Sequence, residues 1–331
     1  MARKALLEAL LKAWSSSDDS AFLTAAHTII DEESAKGHVL LARELAAVLR
    51  DPRRPGAHSP LSMRPIPKGR DERPLLSLTK PQRQFADLVY SPSETDALEA
   101  FVSENEHRTL LAAHALRPRQ RLLLVGPSGS GKTTAAHAIA DRLSLPVATA
   151  NLAALTSSYL GETARNIESV INFADSNPCV LLLDEFDALA GERSRTGDHG
   201  ELRRVVATVL QAMETARGES VIVATSNHPG LLDSAIWRRF DEVLALTYPE
   251  AAQRRQLLTV KLSGLASNVK IERWVNELAG VSAADIERTC IDSLRLAILE
   301  GSQATEDAHL VSARGRLQAR REAVTRVQAP E

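Results

Sequence analysis

A chain of 331 residues, 44 % hydrophobic and 25 % charged, is long enough for one sizeable core and a second, smaller one. Its formal charge of −2 gives no general pull towards nucleic acid, and its two cysteines, Cys179 and Cys290, lie in apolar settings that favour buried reduced thiols over a disulfide or a cysteine metal site. Glu8 and Lys12 interrupt what would be the apolar region of a leader, and no apolar run approaches the ~20 residues that span a bilayer, so no membrane partner is expected and the cytoplasm is the expected location.

Residues 1–50 repeat apolar side chains at helical spacing: Leu6, Leu7, Leu10, Leu11 and Trp14, then Phe22, Ala26, Ile29 and Ile30, then Leu41, Leu45, Val48 and Leu49. They read as a helical unit too small to bury much alone, packed either on the rest of the chain or on a partner. Residues 51–83 hold seven of the fifteen prolines and many arginines, and read as an extended linker. Regular structure is expected from residue 84, with a helix from Ser93, as its cap, to about Ala115.

Leu122 to Val125 form a short apolar run that reads as a buried strand. It leads into Gly126-Pro127-Ser128-Gly129-Ser130-Gly131-Lys132-Thr133 and then the helical pattern that begins at Thr134. That is the spacing of a phosphate-binding loop: glycines turn backbone N–H groups inward at the positive end of a helix, around phosphate oxygens. Lys132 is placed to meet the β- and γ-phosphates of a nucleotide and Thr133 to hold Mg²⁺, which makes ATP and Mg²⁺ the expected ligands.

Further strands are expected at Val147–Asn151, Cys179–Leu183, Ser220–Asn227 and Glu242–Thr247, with an amphipathic helix carrying Leu202, Val205, Val206, Val209, Leu210 and Met213 on one face. Strands alternating with helices over 84–248 predict an α/β domain with a parallel sheet and its ligand at the C-terminal edge. Beyond Pro249 no strand is expected. Residues 249–331 read as a helical lid and tail of three or four helices, one opening at the capping box Ser282-x-x-Asp285.

The strand ending in Asp184-Glu185 delivers two carboxylates to the same edge of the sheet as the phosphate loop. Asp184 is assigned to Mg²⁺, chiefly through its water ligands, and Glu185 to orienting and deprotonating the attacking water. Asn227 closes the neighbouring strand, where it could polarise that water or the γ-phosphate. Arg238 and Arg239 come too late in the chain to serve the local phosphate site, and could act across a subunit boundary.

Taken together, Gly126 to Thr133, Asp184-Glu185, Thr225-Ser-Asn-His-Pro229 and Arg238-Arg239-Phe240-Asp241 resemble the AAA family of ATPases, near the group that includes katanin and spastin. The resemblance spans about residues 85–300 and implies a five-stranded nucleotide domain, a small helical lid, and a homo-oligomeric ring, usually a hexamer, with ATP at each interface. It makes Asn227 the first sensor, and Arg238 and Arg239 fingers on the neighbour's ATP. It sets Asp87, Leu88 and Val89 on one side of the base and Ser282 and Ala283, within Gly280 to Asp285, on the other. Tyr159-Leu160-Gly161 resembles the pore-loop triplet that grips an extended protein substrate.

The runs Tyr-Leu-Gly-Glu-Thr, Asp-Glu-Phe-Asp-Ala and Ala235 to Asp241 are similar more narrowly to bacterial AAA ATPases encoded beside subtilisin-like serine proteases, pairs associated with defence against phage or plasmids. The chain itself has neither a Gly-x-Ser-x-Gly elbow nor a His-Glu-x-x-His zinc motif. Two other functions stay open at this point. One is a nucleic-acid-dependent motor that meets phosphates through the basic linker and Arg314, Arg316, Arg320 and Arg321; the other is a nucleotide-controlled docking switch that uses the first 50 residues without translocation.

Overall fold

The computed structural model describes residues 65–155, 160–187, 211–216, 218–232 and 234–328, with Lys12, Phe22, residues 24–26 and 28–30, Glu32 and Val209. The chain divides into two compact units, Met1–Met63 and Arg64–Glu331. In the first, residues 24–26 and 28–30 are helical, and the Thr28 hydroxyl donates to the Thr24 carbonyl at 2.8 Å.

The second unit is built on a six-stranded sheet in the order β1-β3-β4-β5-β2-β6. In chain order the strands are β1 (Leu76–Thr79), β2 (Arg121–Val125), β3 (Val147–Ala150), β4 (Val180–Leu183), β5 (Val221–Ser226) and β6 (Glu242–Ala245). Five of them run parallel, as expected, while β1 joins the edge antiparallel to β3. β1 is a departure from the sequence reading, because it falls inside the stretch read as linker; Leu75 and Leu76 are buried and stitch it to the sheet.

The central strands are apolar along their whole length because both faces are covered. Alternate residues go to opposite sides: Leu122, Leu124, Val180, Leu182, Val221 and Val223 pack on one face, Leu123, Val125, Leu181, Leu183, Ile222 and Ala224 on the other. Each fully buried leucine in such a layer stabilises the fold by about 1.5–3 kcal/mol. On the first face lie α1 (Pro92–Glu106), through Leu98, Phe101 and Val102, and α3 (Lys132–Arg142), through Ala135, Ala136, Ile139 and Ala140; α2 (Arg108–Ala113) links α1 to β2. On the other face lies α5 (Leu160–Ser176), which follows the short α4 (Leu152–Leu155) and buries Ile167, Val170, Ile171 and Phe173.

The cap of α1 is corrected by the structure. The N-cap is Ser91, with Pro92 at the first helical position and Glu94 completing the capping box, and α1 ends at Glu106 before α2. Proline at the first turn has no N–H to leave unpaired, so the start moves two residues earlier than Ser93.

After the short α6 (Ser234–Trp237) and β6, the chain forms the lid: α7 (Ala251–Lys261), α8 (Ile271–Glu277), α9 (Ala283–Leu299) and α10 (Asp307–Gln328). Trp274, Leu258, Leu262, Leu278, Ile286, Cys290 and Leu310 make its separate core. The expectation of no strand beyond Pro249 is corrected by β7 (Ala266–Ser267) and β8 (Ala304–Thr305), a parallel pair too short to show in an apolar pattern. Both cysteines are buried thiols; burial pushes Cys179 up to about 11 and Cys290 up to about 12, so they stay protonated. No helix among the described residues is long and apolar enough to cross a membrane.

Candidate nucleotide site

The loop from Gly126 to Gly131 leaves the C-terminal end of β2 and opens α3, with Gly131 as the helix N-cap. Gly126 has φ +147°, and a Cβ there would stand 2.1 Å from the Leu246 carbonyl oxygen; Gly129 has φ +76°, and a Cβ there would stand 2.7 Å from Ser282 Oγ. Side chains are therefore excluded at both points, one against the sheet and one against the lid. The Lys132 ammonium curls back over the loop to donate to the carbonyls of Gly126 at 2.8 Å and Pro127 at 2.9 Å. Burial lowers its pKa, and the charges of Asp184, Asp187 and Glu185 oppose that shift.

The three residues assigned to metal and water converge. Thr133 Oγ1 donates to Asp184, at 3.1 Å from Oδ1 and 3.3 Å from Oδ2, so one turn of α3 touches the end of β4. Glu185 follows in the left-handed region, φ +53°, a conformation that costs a non-glycine residue about 1–2 kcal/mol. Asn227 sits half-buried at the end of β5, its backbone N–H 3.4 Å from Asp187 Oδ1.

Two residues with no assigned role enter the site. Tyr90 donates its phenol O–H to the Gly131 carbonyl at 2.8 Å, and burial, reinforced by Glu94, pushes the phenol well above its usual range, so it remains a donor. Thr225 Oγ1 bridges Asp184 and Glu185, donating at 2.6 Å and accepting at 2.9 Å. Thr225 opens the run Thr225 to Pro229 without a role of its own there, Tyr90 stands in no such run, and the fold brings both to the site.

Asp87, Leu88, Val89 and Tyr90 line one side of a cleft whose other sides are Gly129 to Gly131 with Thr134, and Ala283, Ala284 and Glu287 of the lid. The lid is joined to the loop directly: Ala284 N–H donates to the Gly129 carbonyl at 3.1 Å, beside buried Ser282. The structure thus brings together the expected base-flanking residues. Glu287 also ties Arg83 at 3.2 Å and Lys261 at 3.0 Å across the cleft.

Arg238 and Arg239 are exposed and stand at the other end of the sheet. Asp241 is level with Arg121, whose N–H and guanidinium it binds, and that is four residues or about 13 Å below Val125, where the phosphate loop begins. Arg239 forms an ion pair with Glu214. Phe240 packs edge-on against Phe186, with ring centroids 6.4 Å apart, and so links the arginine turn to the segment that carries Asp184 and Glu185. Tyr159 lies outside the described residues, as does most of the helix expected from Leu202; Leu160 and Gly161 open α5.

Two of the arginines weighed for nucleic acid are engaged within the chain, Arg314 with Glu277 and Arg321 with Asp285.

The donor set fits a nucleoside triphosphate with Mg²⁺. Ser130 Oγ is buried without a hydrogen-bond partner in the loop, the backbone curves where only glycine is admitted, the Lys132 ammonium lies over the loop carbonyls, and the Thr133 hydroxyl meets the Asp184 carboxylate. An α/β sheet with this loop at its C-terminal edge defines a P-loop nucleoside triphosphatase.

Comparison with known proteins narrows the class. The profile of the ATPase family associated with various cellular activities (AAA) matches residues 122–248. The uncharacterised AAA family ATPase y4kL of Sinorhizobium fredii is 36 % identical over 308 residues, 93 % of each chain. The proteasome-activating nucleotidase of Methanothermobacter thermautotrophicus is 33 % identical over 193 residues, 55 % of this chain and 47 % of that one. The crystal structure of the FIGL-1 AAA domain shares the fold, with TM-score 0.57 and 22 % identity over 72 % of this chain and 84 % of that one. The chain belongs to the AAA family and is an ATP hydrolase.

Proposed function

We propose that this ATPase works as a ring, usually of six copies, that uses Mg-ATP hydrolysis to unfold or thread protein. The observation that carries the reading is the separation of the catalytic parts: phosphate loop, Asp184 and Glu185 lie at the C-terminal edge of the sheet, whereas Arg238 and Arg239 precede β6, whose entry at Asp241 is level with Arg121, about 13 Å below Val125. A second copy, docked head to tail, supplies its arginines where the first copy's phosphates lie.

In this reading Lys132 and the loop N–H groups bind the β- and γ-phosphates, while Asn227 orients the attacking water. Thr133 and Asp184 would hold Mg²⁺, which when bound would supply positive charge against the phosphates. Glu185 takes the water's proton, a contribution of about 10²- to 10⁴-fold. The neighbour's Arg239, once it leaves Glu214, meets the charge that grows on the γ-phosphoryl oxygens, worth about 10³- to 10⁵-fold, with Arg238 beside it. Asp87, Leu88, Val89, Ser282 and Ala283 enclose the base, so opening of the lid accompanies nucleotide exchange.

Support for a protein substrate comes from the archaeal relative, named as activating a proteasome, and from the pore-like triplet Tyr159-Leu160-Gly161. The effector served is a separate protein; a subtilisin-like serine protease in phage or plasmid defence, within the cytoplasm, is the one to which the resemblance points. The test is Tyr159→Ala: ATP turnover should stay within about 3-fold of wild type while unfolding of a tagged fluorescent protein is lost. Unfolding at the wild-type rate by that variant would exclude the pore reading.

A further inference from the structure

Thr225 is the fifth residue of β5, and it is 1 % exposed. Register sets it level with the end of β4: Leu183 pairs with Ala224, so Asp184 comes opposite Thr225. By strand parity both point to the face covered by α3, the helix that carries Thr133. The Thr225 hydroxyl lies 2.6 Å from Asp184 Oδ1 and 2.9 Å from the Glu185 backbone nitrogen. A backbone N–H only donates, so the hydroxyl accepts there and its single proton goes to the carboxylate. One side chain thereby holds both acidic residues of the hydrolytic centre.

We propose that Thr225 is the positioning residue of this centre, fixing the rotation of the Asp184 carboxylate and holding Glu185 in its left-handed turn. The inference rests on the ATPase reading and deepens it. Asp184 has a second hydroxyl partner in Thr133, but that contact is longer and shared between both carboxylate oxygens. When Thr133 turns to the metal, Thr225 is the remaining hydroxyl on Asp184 among the described residues. Glu185 has φ +53°, a backbone state that persists only where its surroundings hold it, and the bond from its N–H to Thr225 ties that turn directly to β5. A hydrogen bond to an ionised carboxylate is also about twice as strong as a neutral one, so this hydroxyl is a firm anchor.

Thr225→Val keeps the shape and removes both bonds, whereas Thr225→Ser keeps the hydroxyl. In the full chain, Thr225→Val should lower kcat by about 10- to 100-fold with the KM for ATP within about 3-fold, and Thr225→Ser should restore most of the loss. A binding readout separates positioning from general damage. Fluorescent ADP in EDTA should bind Thr225→Val as it binds wild type, while the Mg²⁺ concentration that half-maximally tightens a non-hydrolysable ATP analogue should rise several-fold. Wild-type kcat together with wild-type Mg²⁺ dependence in Thr225→Val overturns the proposal. So does equal loss of ADP binding and melting temperature in the Val and Ser variants, which would make Thr225 a packing residue only. Absence of ATP turnover in wild type would strike the ATPase reading instead, and the Mg²⁺ titration would still decide for or against Thr225.

Discussion

Glu185, the general base of the proposed mechanism, has an unfavourable backbone. Its left-handed φ of +53° would relax in a free chain, so the turn after β4 holds a strain that buried neighbours must over-determine. Phe186, fully buried beside it, and the Thr225 bond are those neighbours. Glu185→Gln leaves the shape and these contacts in place and removes the proton acceptor. It should cut phosphate release by about 10²- to 10⁴-fold while ATP stays bound, read as radiolabelled ATP retained after gel filtration. Turnover at the wild-type rate would take Glu185 out of the mechanism. At this scale the motif residues were legible in the sequence because each group is local: a loop needs its glycines in a row, and two acids at a strand end need no distant partner. Tyr90 was not legible, and of Thr225 only its place in the run Thr225 to Pro229 was, because what gives them their roles is a contact with Gly131, 41 residues away, and with Asp184, also 41 residues away.

The joint between lid and sheet is where the elements matter. α9 begins at Ser282, whose Oγ accepts the Asp285 N–H at 3.2 Å and donates to the Asp285 carboxylate at 3.0 Å, and Arg321 of α10 closes on the same carboxylate. The capped turn presses on Gly129 of the phosphate loop, so the end of one helix is also a wall of the nucleotide cleft. Ser282→Ala should lower stability by about 1 kcal/mol, the usual value of a lost N-cap, measured by urea unfolding. It should also weaken fluorescent ATP binding, which a cap remote from the site would not do. This cap was readable from Ser-x-x-Asp. The start of α1 was misplaced because Ser91-Pro92-Ser93 offers two serines, and the proline, at home in the first turn, decides for Ser91. β1 was hidden for a different reason: Leu76-Ser-Leu-Thr79 alternates for only four residues in a stretch of prolines and arginines, too short to stand out, and pairing with β3 makes it a strand.

For the whole molecule, parallel strands impose the division of labour. The strand that follows Arg238 and Arg239 and the strand that leads into the phosphate loop run parallel, so the beginning of one and the end of the other lie at opposite edges of the sheet. The entry to β6 at Asp241 stands roughly 13 Å below Val125, and the proposed ring has a second copy bring its arginines to the first copy's phosphates. Subunit mixing tests this. Arg239→Ala alone should be inactive because no seam has a finger, and Glu185→Gln alone because no seam has a base. Mixed in equal amounts, about a quarter of the seams join an intact base to an intact finger, and activity should return from two dead preparations. If the arginines served their own phosphates, every chain in the mixture would lack one essential group and no activity would return. The return should also fade on dilution, as the copies separate, which ties the recovered activity to the seam.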